Sequence, residues 1–93
     1  MFTYISGKIT GTKDYYQRFN AAEEKLLRQG YTPINPVKNI PEGMSWEYYM
    51  RQDIIKLLQC DTIYMLKGWR TSRGARLELL IAKKLKFKVI YEN

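Results

Sequence analysis

Four short apolar runs alternate with three stretches of helical periodicity inside 93 residues, and this alternation constrains the fold more than any other feature of the chain. Residues 2–6 are an apolar run that enters Gly7-Lys8-Ile9-Thr10-Gly11, the pattern of a buried strand running into a glycine-bracketed turn. Asp14 is a candidate helix cap, and Tyr15, Phe19, Ala22 and Leu26 follow on one helical face until Gly30 closes it at the C′ position. Residues 31–35 form a second strand, whose Pro33 belongs at a sheet edge because proline offers no N–H to a ladder. Two prolines and a glycine make residues 36–44 a loop. Ser45 then caps a second helix carrying Trp46, Tyr49, Met50, Ile54, Leu57 and Leu58. Residues 62–66 read as a third strand, 67–71 as a turn, 72–85 as a third helix and 87–91 as the last strand. There is no internal repeat, low-complexity segment or linker.

Strands alternating with helices at this spacing imply βαβ units and a parallel sheet. The expected fold is a single small α/β domain over residues 1–93, with a four-stranded parallel sheet in the order 2-1-3-4 and three helices, a flavodoxin/Rossmann-like arrangement. Right-handed crossovers put the first helix on one face and the other two on the opposite face. Ligands of such sheets sit at the carboxyl ends of the strands, by the order reversal between strands 1 and 3. The loops there begin at Gly7, Pro36 and Lys67.

Size and composition narrow the function. A chain this short buries only ~60–65% of its unfolded surface, so its core is marginal alone and a homo-oligomer would help it. The third helix, Leu77-Glu78-Leu79-Leu80-Ile81-Ala82, is apolar almost all round and points the same way, unless it is wedged between the sheet and the second helix. Histidine is absent and Cys60 is the only cysteine, which removes intrachain disulfides, imidazole acid–base chemistry and zinc sites built from Cys and His. Catalysis would fall to carboxylates, lysines or tyrosines. No apolar stretch approaches the ~20 residues of a membrane span, and the N-terminus lacks a signal-peptide pattern, so the expected location is the cytoplasm. The net charge is +7, and from Lys67 to Lys88 eight basic residues stand against one acid, Glu78. Such a field attracts phosphate-bearing partners, whether a nucleotide or a nucleic acid.

Two carboxylates stand where apolar residues belong. Asp53 shares a helical face with Trp46, Tyr49, Met50 and Leu57, and Glu78 shares one with Ala75, Ala82 and Leu85. An ionised acid in such a setting is costly unless paired, and Arg51 or Arg76 is the structural alternative in each case. Two such acids on helices flanking one strand favour function, and paired carboxylates are the equipment of glycosidic-bond chemistry. Other candidates are weaker. The Gly7–Gly11 turn can aim N–H groups and Lys8 at a phosphate, or be only a tight turn. Ser72-Arg73-Gly74 has the form of an anion site at a helix start, or of an ordinary cap. Trp46, Trp69, Tyr4 and Tyr48 can stack a base or fill core and surface, Arg70, Arg73 and Arg76 can form a solvated face, and Cys60 reads as core.

Together, Tyr4-Ile5-Ser6-Gly7, Gly11, Asp53 with Asp61 eight residues on, and Ser72-x-Gly74-x-x-x-Glu78 resemble the nucleoside 2-deoxyribosyltransferases and the related 2′-deoxynucleoside 5′-phosphate N-hydrolases. Ser45-Trp46-Glu47-x-Tyr49-Met50, Gln59-Cys60-Asp61 and Gly68-Trp69-x-x-Ser72-Arg73-Gly74-Ala75-Arg76-x-Glu78 are similar to a short, often phage-encoded branch of that superfamily. The resemblance implies Glu78 as the nucleophile at the sugar C1′, Asp53 as the residue that orients the sugar or handles protons at the base, and Tyr4 as a residue near the nucleophile. It implies a 5′-phosphate at Ser72. It places Leu80 where the enzymes usually carry glycine, and the chain lacks the C-terminal extension with which they often complete a neighbour's site.

The expected function is hydrolysis or deoxyribosyl transfer at the N-glycosidic bond of (deoxy)nucleoside 5′-monophosphates, in a bacterial or phage-infected host cytoplasm. Glu78, Asp53 and Tyr4 would be catalytic. Gly7, Lys8, Ile9, Gly11, Trp46, Trp69, Ser72, Arg73 and Gly74 would bind the nucleotide. No metal or cofactor is implied. The alternatives are a non-catalytic nucleotide-binding module that sequesters or senses its ligand, and a nucleic-acid-binding protein.

Overall fold

The computed structural model describes residues 2–93 as β1 (Phe2–Ser6), α1 (Tyr15–Arg28), β2 (Thr32–Ile34), α2 (Trp46–Leu58), β3 (Thr62–Met65), α3 (Arg73–Lys84) and β4 (Lys88–Tyr91), with a 3₁₀ turn, Trp69–Thr71, inside the β3–α3 connection. The strands form one parallel sheet in the order β2-β1-β3-β4, with Tyr4 opposite Ile34 on one side and Ile63 on the other. This is the architecture expected from the alternation. The central strands are covered on both faces and are buried along nearly their whole length, as the inner strands of a parallel sheet must be. Pro33 lies in β2, an edge strand.

Residue alternation divides the core in two. Ile5, Tyr64 and Leu66 pack with Phe19, Ala22 and Leu26 of α1 on one face. Tyr4, Ile63 and Met65 pack with Leu57 of α2 and Ala75, Leu79 and Ala82 of α3 on the other. Each strand therefore sends alternate side chains to different helices, and Tyr4 and Ser6, two residues apart, share the α2/α3 face.

The ends of the helices carry their own explanations. At the end of α1, Gly30 takes φ +89° while Tyr31 N–H donates to the Leu26 carbonyl and Gly30 N–H to that of Leu27, a Schellman closure. The same closure ends α3, with Phe87 N–H on Ala82 and Lys86 N–H on Lys83, but here a lysine occupies the left-handed position at φ 63°. Ser45 and Ser72 cap α2 and α3 by accepting from Tyr48 N–H and Ala75 N–H. Asp14 precedes α1, but its side chain makes no cap hydrogen bond.

Two details differ from the sequence expectation, and a third decides between its alternatives. Leu85, read as a face-mate of Glu78, is 54% exposed because α3 stops at Lys84 and leaves it in the cap. Leu58, read into the apolar stripe of α2, is 55% exposed, being rotated off the face that holds Met50 and Leu57. Asp53 and Glu78 take no arginine partner: among the described residues the ion pair is Lys38–Glu23, at 2.8 Å. Among the described residues, no helix is long and apolar enough to cross a membrane.

Candidate functional site

A cleft of about 640 Å³ opens at the carboxyl ends of β1, β2 and β3, where the strand order reverses. Its walls come from the loop after β1 (Gly7 to Thr10), the first turns of α1 (Tyr15, Phe19), the loop after β2 (Pro36, Ile40), one face of α2 (Trp46, Tyr49, Met50, Asp53) and the start of α3 (Ser72 to Ala75, Glu78). The 36–44 loop is tied down from both sides. Asn35 donates to Asn20 and Glu23 and accepts from Val37 N–H, while the Tyr49 hydroxyl donates to the Pro41 carbonyl at 2.7 Å and accepts from Met44 N–H.

Glu78 is 4% exposed, and each of its carboxyl oxygens accepts a hydrogen bond from β1. The Tyr4 hydroxyl donates to Oε2 at 2.7 Å and the Ser6 hydroxyl to Oε1 at 2.6 Å. Burial pushes the Glu78 carboxyl up to about 8; the two hydroxyls pull against that shift and the nearby Asp53 charge adds to it. Burial likewise pushes Asp53 up to about 6, with Lys56 opposing. Tyr4, fully enclosed and facing Glu78, is raised well above the ordinary phenol value. It therefore keeps its proton and acts as a donor. Asp53 and Glu78 are the two carboxylates of the lining, and both are held in the range where a group can exchange protons near neutral pH.

The cations of the lining are Lys8 and Arg73. Lys8 Nζ donates to Thr71 Oγ1 at 3.2 Å, bridging the loops after β1 and β3. The Arg73 guanidinium lies 3.7 Å above the Trp46 ring. Neither pairs with a carboxylate among the described residues. Ser72 spends its oxygen on Ala75 N–H, which leaves the first N–H groups of α3 without intrahelical acceptors beside these cations.

Of the residues singled out in the sequence, Glu78, Asp53, Tyr4, Gly7, Lys8, Ile9, Trp46, Ser72, Arg73 and Gly74 meet around this cleft. Gly11 and Trp69 stand outside its lining. Gly11 supplies a positive φ of +81° to the turn, and Trp69 packs on the α2/α3 core with its ring 6.0 Å from that of Tyr91. Tyr48, a stacking candidate, sets its ring edge-on to Tyr49. Sequence reasoning gave no role to Ser6, although it stands in the Tyr4-Ile5-Ser6-Gly7 motif two residues after Tyr4, and it passed over the aromatic wall of Tyr15, Phe19 and Tyr49.

A family model described as "Domain of unknown function (DUF4406)" matches residues 1–91. No curated protein matches the sequence. Among solved structures, a 2-deoxyribosyltransferase from the psychrotolerant bacterium Bacillus psychrosaccharolyticus is similar, with a TM-score of 0.74 and 17% identity over 98% of this chain and 71% of that one. At that identity the likeness is one of fold.

Proposed function

The chain belongs to the DUF4406 family, and from that premise we propose that it cleaves or exchanges the N-glycosidic bond of (deoxy)nucleoside 5′-monophosphates. The observation that carries this reading is Glu78, a carboxylate buried at the cleft with a hydroxyl on each oxygen and a second carboxylate, Asp53, on the facing helix. The 2-deoxyribosyltransferase fold of its structural neighbour supports it.

In this mechanism ionised Glu78 attacks C1′, the C1′–N bond breaks, and its electron pair leaves with the base. Protonated Asp53 hands its proton to the departing base. The sugar is left as an ester on Glu78. Water then attacks C1′, returns its proton to Asp53 and frees the Glu78 carboxylate; a second base in place of water gives transfer. The aromatic wall and Trp46 offer faces on which a base can stack. Lys8, Arg73 and the free N–H groups at the start of α3 suit the 5′-phosphate.

A second reading, a nucleotide-binding module without turnover, is favoured by one observation. Burial raises Glu78 further than Asp53, so the form that has Glu78 ionised and Asp53 protonated is the disfavoured arrangement of the pair. One experiment separates the readings. The protein is incubated with a panel of ribo- and deoxynucleoside monophosphates, with and without acceptor bases, and released base is followed by chromatography. Base release from one monophosphate supports the enzyme, and tight binding with no release supports the module.

A further inference from the structure

We propose that Ser6 is a positioning residue for Glu78: its hydroxyl and that of Tyr4 form a two-point clamp that fixes the plane of the carboxylate and favours its acceptor form over the protonated one. This proposal rests on the reading of Glu78 as the reacting carboxylate.

The geometry carries it. Tyr4 and Ser6 are two residues apart on β1, so both side chains leave the same face of the sheet and meet α3. They bond opposite oxygens of one carboxylate, at 2.7 Å and 2.6 Å. A single donor would leave the carboxylate free to rotate about its terminal bond. Two donors on two oxygens fix that rotation, as a reacting atom held for in-line attack requires. The strand beneath is itself rigid, since Ser6 pairs with Met65 in the ladder and its carbonyl accepts from Leu66 N–H at 2.8 Å.

Ser6 is buried at 1% exposure and, unlike Tyr4, lies outside the cleft lining. It reaches the reaction only through Glu78. The groups facing Glu78 are Tyr4 and Ser6 from β1 and Asp53 from α2, while Lys8 from the loop after β1 and Arg73 from the start of α3 line the same cleft. Burial and Asp53 favour a protonated Glu78, and the two hydroxyls oppose them. An O–H donor that already points at an oxygen favours the anion there, and such a bond to a charged group shifts a carboxyl by about one to two pH units.

The test compares wild type with Ser6→Ala, which deletes the donor, and Ser6→Thr, which keeps it. The Glu78 carboxyl is titrated by ¹³C NMR in protein labelled at the glutamate side chain and assigned with Glu78→Gln, and base release is measured across pH on the monophosphate identified above. Ser6→Ala is expected to raise the Glu78 midpoint by at least about one unit, to lower kcat about tenfold at neutral pH and to leave KM nearly unchanged, with Ser6→Thr restoring both. A Ser6→Ala protein with the wild-type Glu78 midpoint overturns the clamp, and so does a shifted midpoint whose turnover is unchanged at every pH. If the wild type releases no base at all, the N-glycosidic reading fails, while the titration still decides whether Ser6 holds the charge. Should Ser6→Ala not fold, Ser6→Cys, with its weaker donor, is expected to give a smaller shift in the same direction, and no shift there overturns the proposal.

Discussion

The hydroxyl of Tyr4, on the first strand, stands 2.7 Å from Oε2 of Glu78, 74 residues later on the last helix. The contact crosses from the sheet to α3 in the α2/α3 half of the core, and it places a titrating carboxyl among groups that exclude water. Stability and chemistry thereby compete for the same proton.

The competition has a definite sign. Burial raises Glu78 from an ordinary 4.5 to about 8, so between these values the folded state holds a proton that the unfolded state has released. Its contribution is present in full below the unfolded value and is lost as pH rises through the folded one. Asp53 acts in the same direction between 3.8 and about 6. Wild-type stability in urea is expected to fall from pH 5 to pH 8, by at most roughly 4 kcal/mol from Glu78. Glu78→Gln should flatten most of that slope. If the protein is an enzyme, the same variant should lose at least ~100-fold in turnover while still binding nucleotide. A variant whose urea midpoint follows pH as steeply as wild type would show that Glu78 is not the group responsible.

Two glycines of the cleft should respond differently to alanine. A Cβ at Gly7 would lie 2.8 Å from Leu66 Cδ1 and 2.9 Å from Leu66 Cβ. Leu66 is fully buried and its Cβ cannot swing away, so Gly7→Ala is expected to cost about 1–3 kcal/mol. At Gly74 the nearest atom is Met50 Sδ at 3.0 Å, the end of a flexible side chain. There the crowding is offset by a helix-propensity gain of roughly 1 kcal/mol, and Gly74→Ala should melt within a few degrees of wild type. Parallel thermal melts compare the two directly.

Lys86 offers a stabilising change. It holds φ 63° at the end of α3, where a side chain costs roughly 1–2 kcal/mol and glycine does not. After the entropy lost by glycine, Lys86→Gly is expected to add about 0.5–1 kcal/mol, read as a higher urea midpoint at unchanged m. An unchanged or lower midpoint would contradict it.

These positions also show what the sequence could disclose. Gly30 announced the end of α1 because the residue that suits a positive φ stands there; Lys86 does the same task at the end of α3 with nothing in its chemistry to advertise it. Sheet order followed from alternation and the handedness of crossovers, which are properties of the chain as a whole. The inward placement of Asp53 and Glu78 followed from helical period. Of the partners of Glu78, Tyr4 came only from the family resemblance and Ser6 did not emerge at all, since a strand serine has no pattern that reveals which residue it will meet 72 positions later. The exposure of Leu58 and Leu85 was hidden for a similar reason: helical period identifies a stripe, but where a helix stops and how it is rotated are decided by packing.

Leu80, Ile55 and Leu58 leave large apolar side chains in solvent on the two helices that share one face of the sheet. A core this small gains from burying them, and we expect the chain to self-associate through this layer. Sedimentation equilibrium should show a dimer or larger closed assembly at micromolar concentration, and Leu80→Glu should shift it to monomer. A protein that remains monomeric up to that concentration would remove oligomerisation from the account.

The remaining question is what the cations at the cleft are for. Lys8 and Arg73 have no acidic partner among the described residues, and they flank the start of α3, where the N–H groups of Arg73 and Gly74 lack intrahelical acceptors. Helix dipole, free donors and two positive charges together favour an anion. A phosphate held there should contribute on the order of 2–4 kcal/mol, counting ~1.5–3 for each charged hydrogen bond and discounting for exposure. A nucleoside monophosphate is therefore expected to bind at least ~30-fold tighter than its nucleoside by calorimetry at moderate salt. The choice of variant matters. Ser72→Ala removes the oxygen that caps Ala75 N–H and so costs about 1 kcal/mol of stability whatever its effect on ligand. Arg73→Ala uncovers the Trp46 ring and alters the wall of the cleft. Lys8 makes one hydrogen bond, to Thr71, so Lys8→Met removes the charge with the least disturbance. It should narrow the gap between monophosphate and nucleoside by about tenfold and leave nucleoside binding unchanged. Equal affinity of the wild type for the two ligands would refute the phosphate site and turn the assignment toward nucleosides.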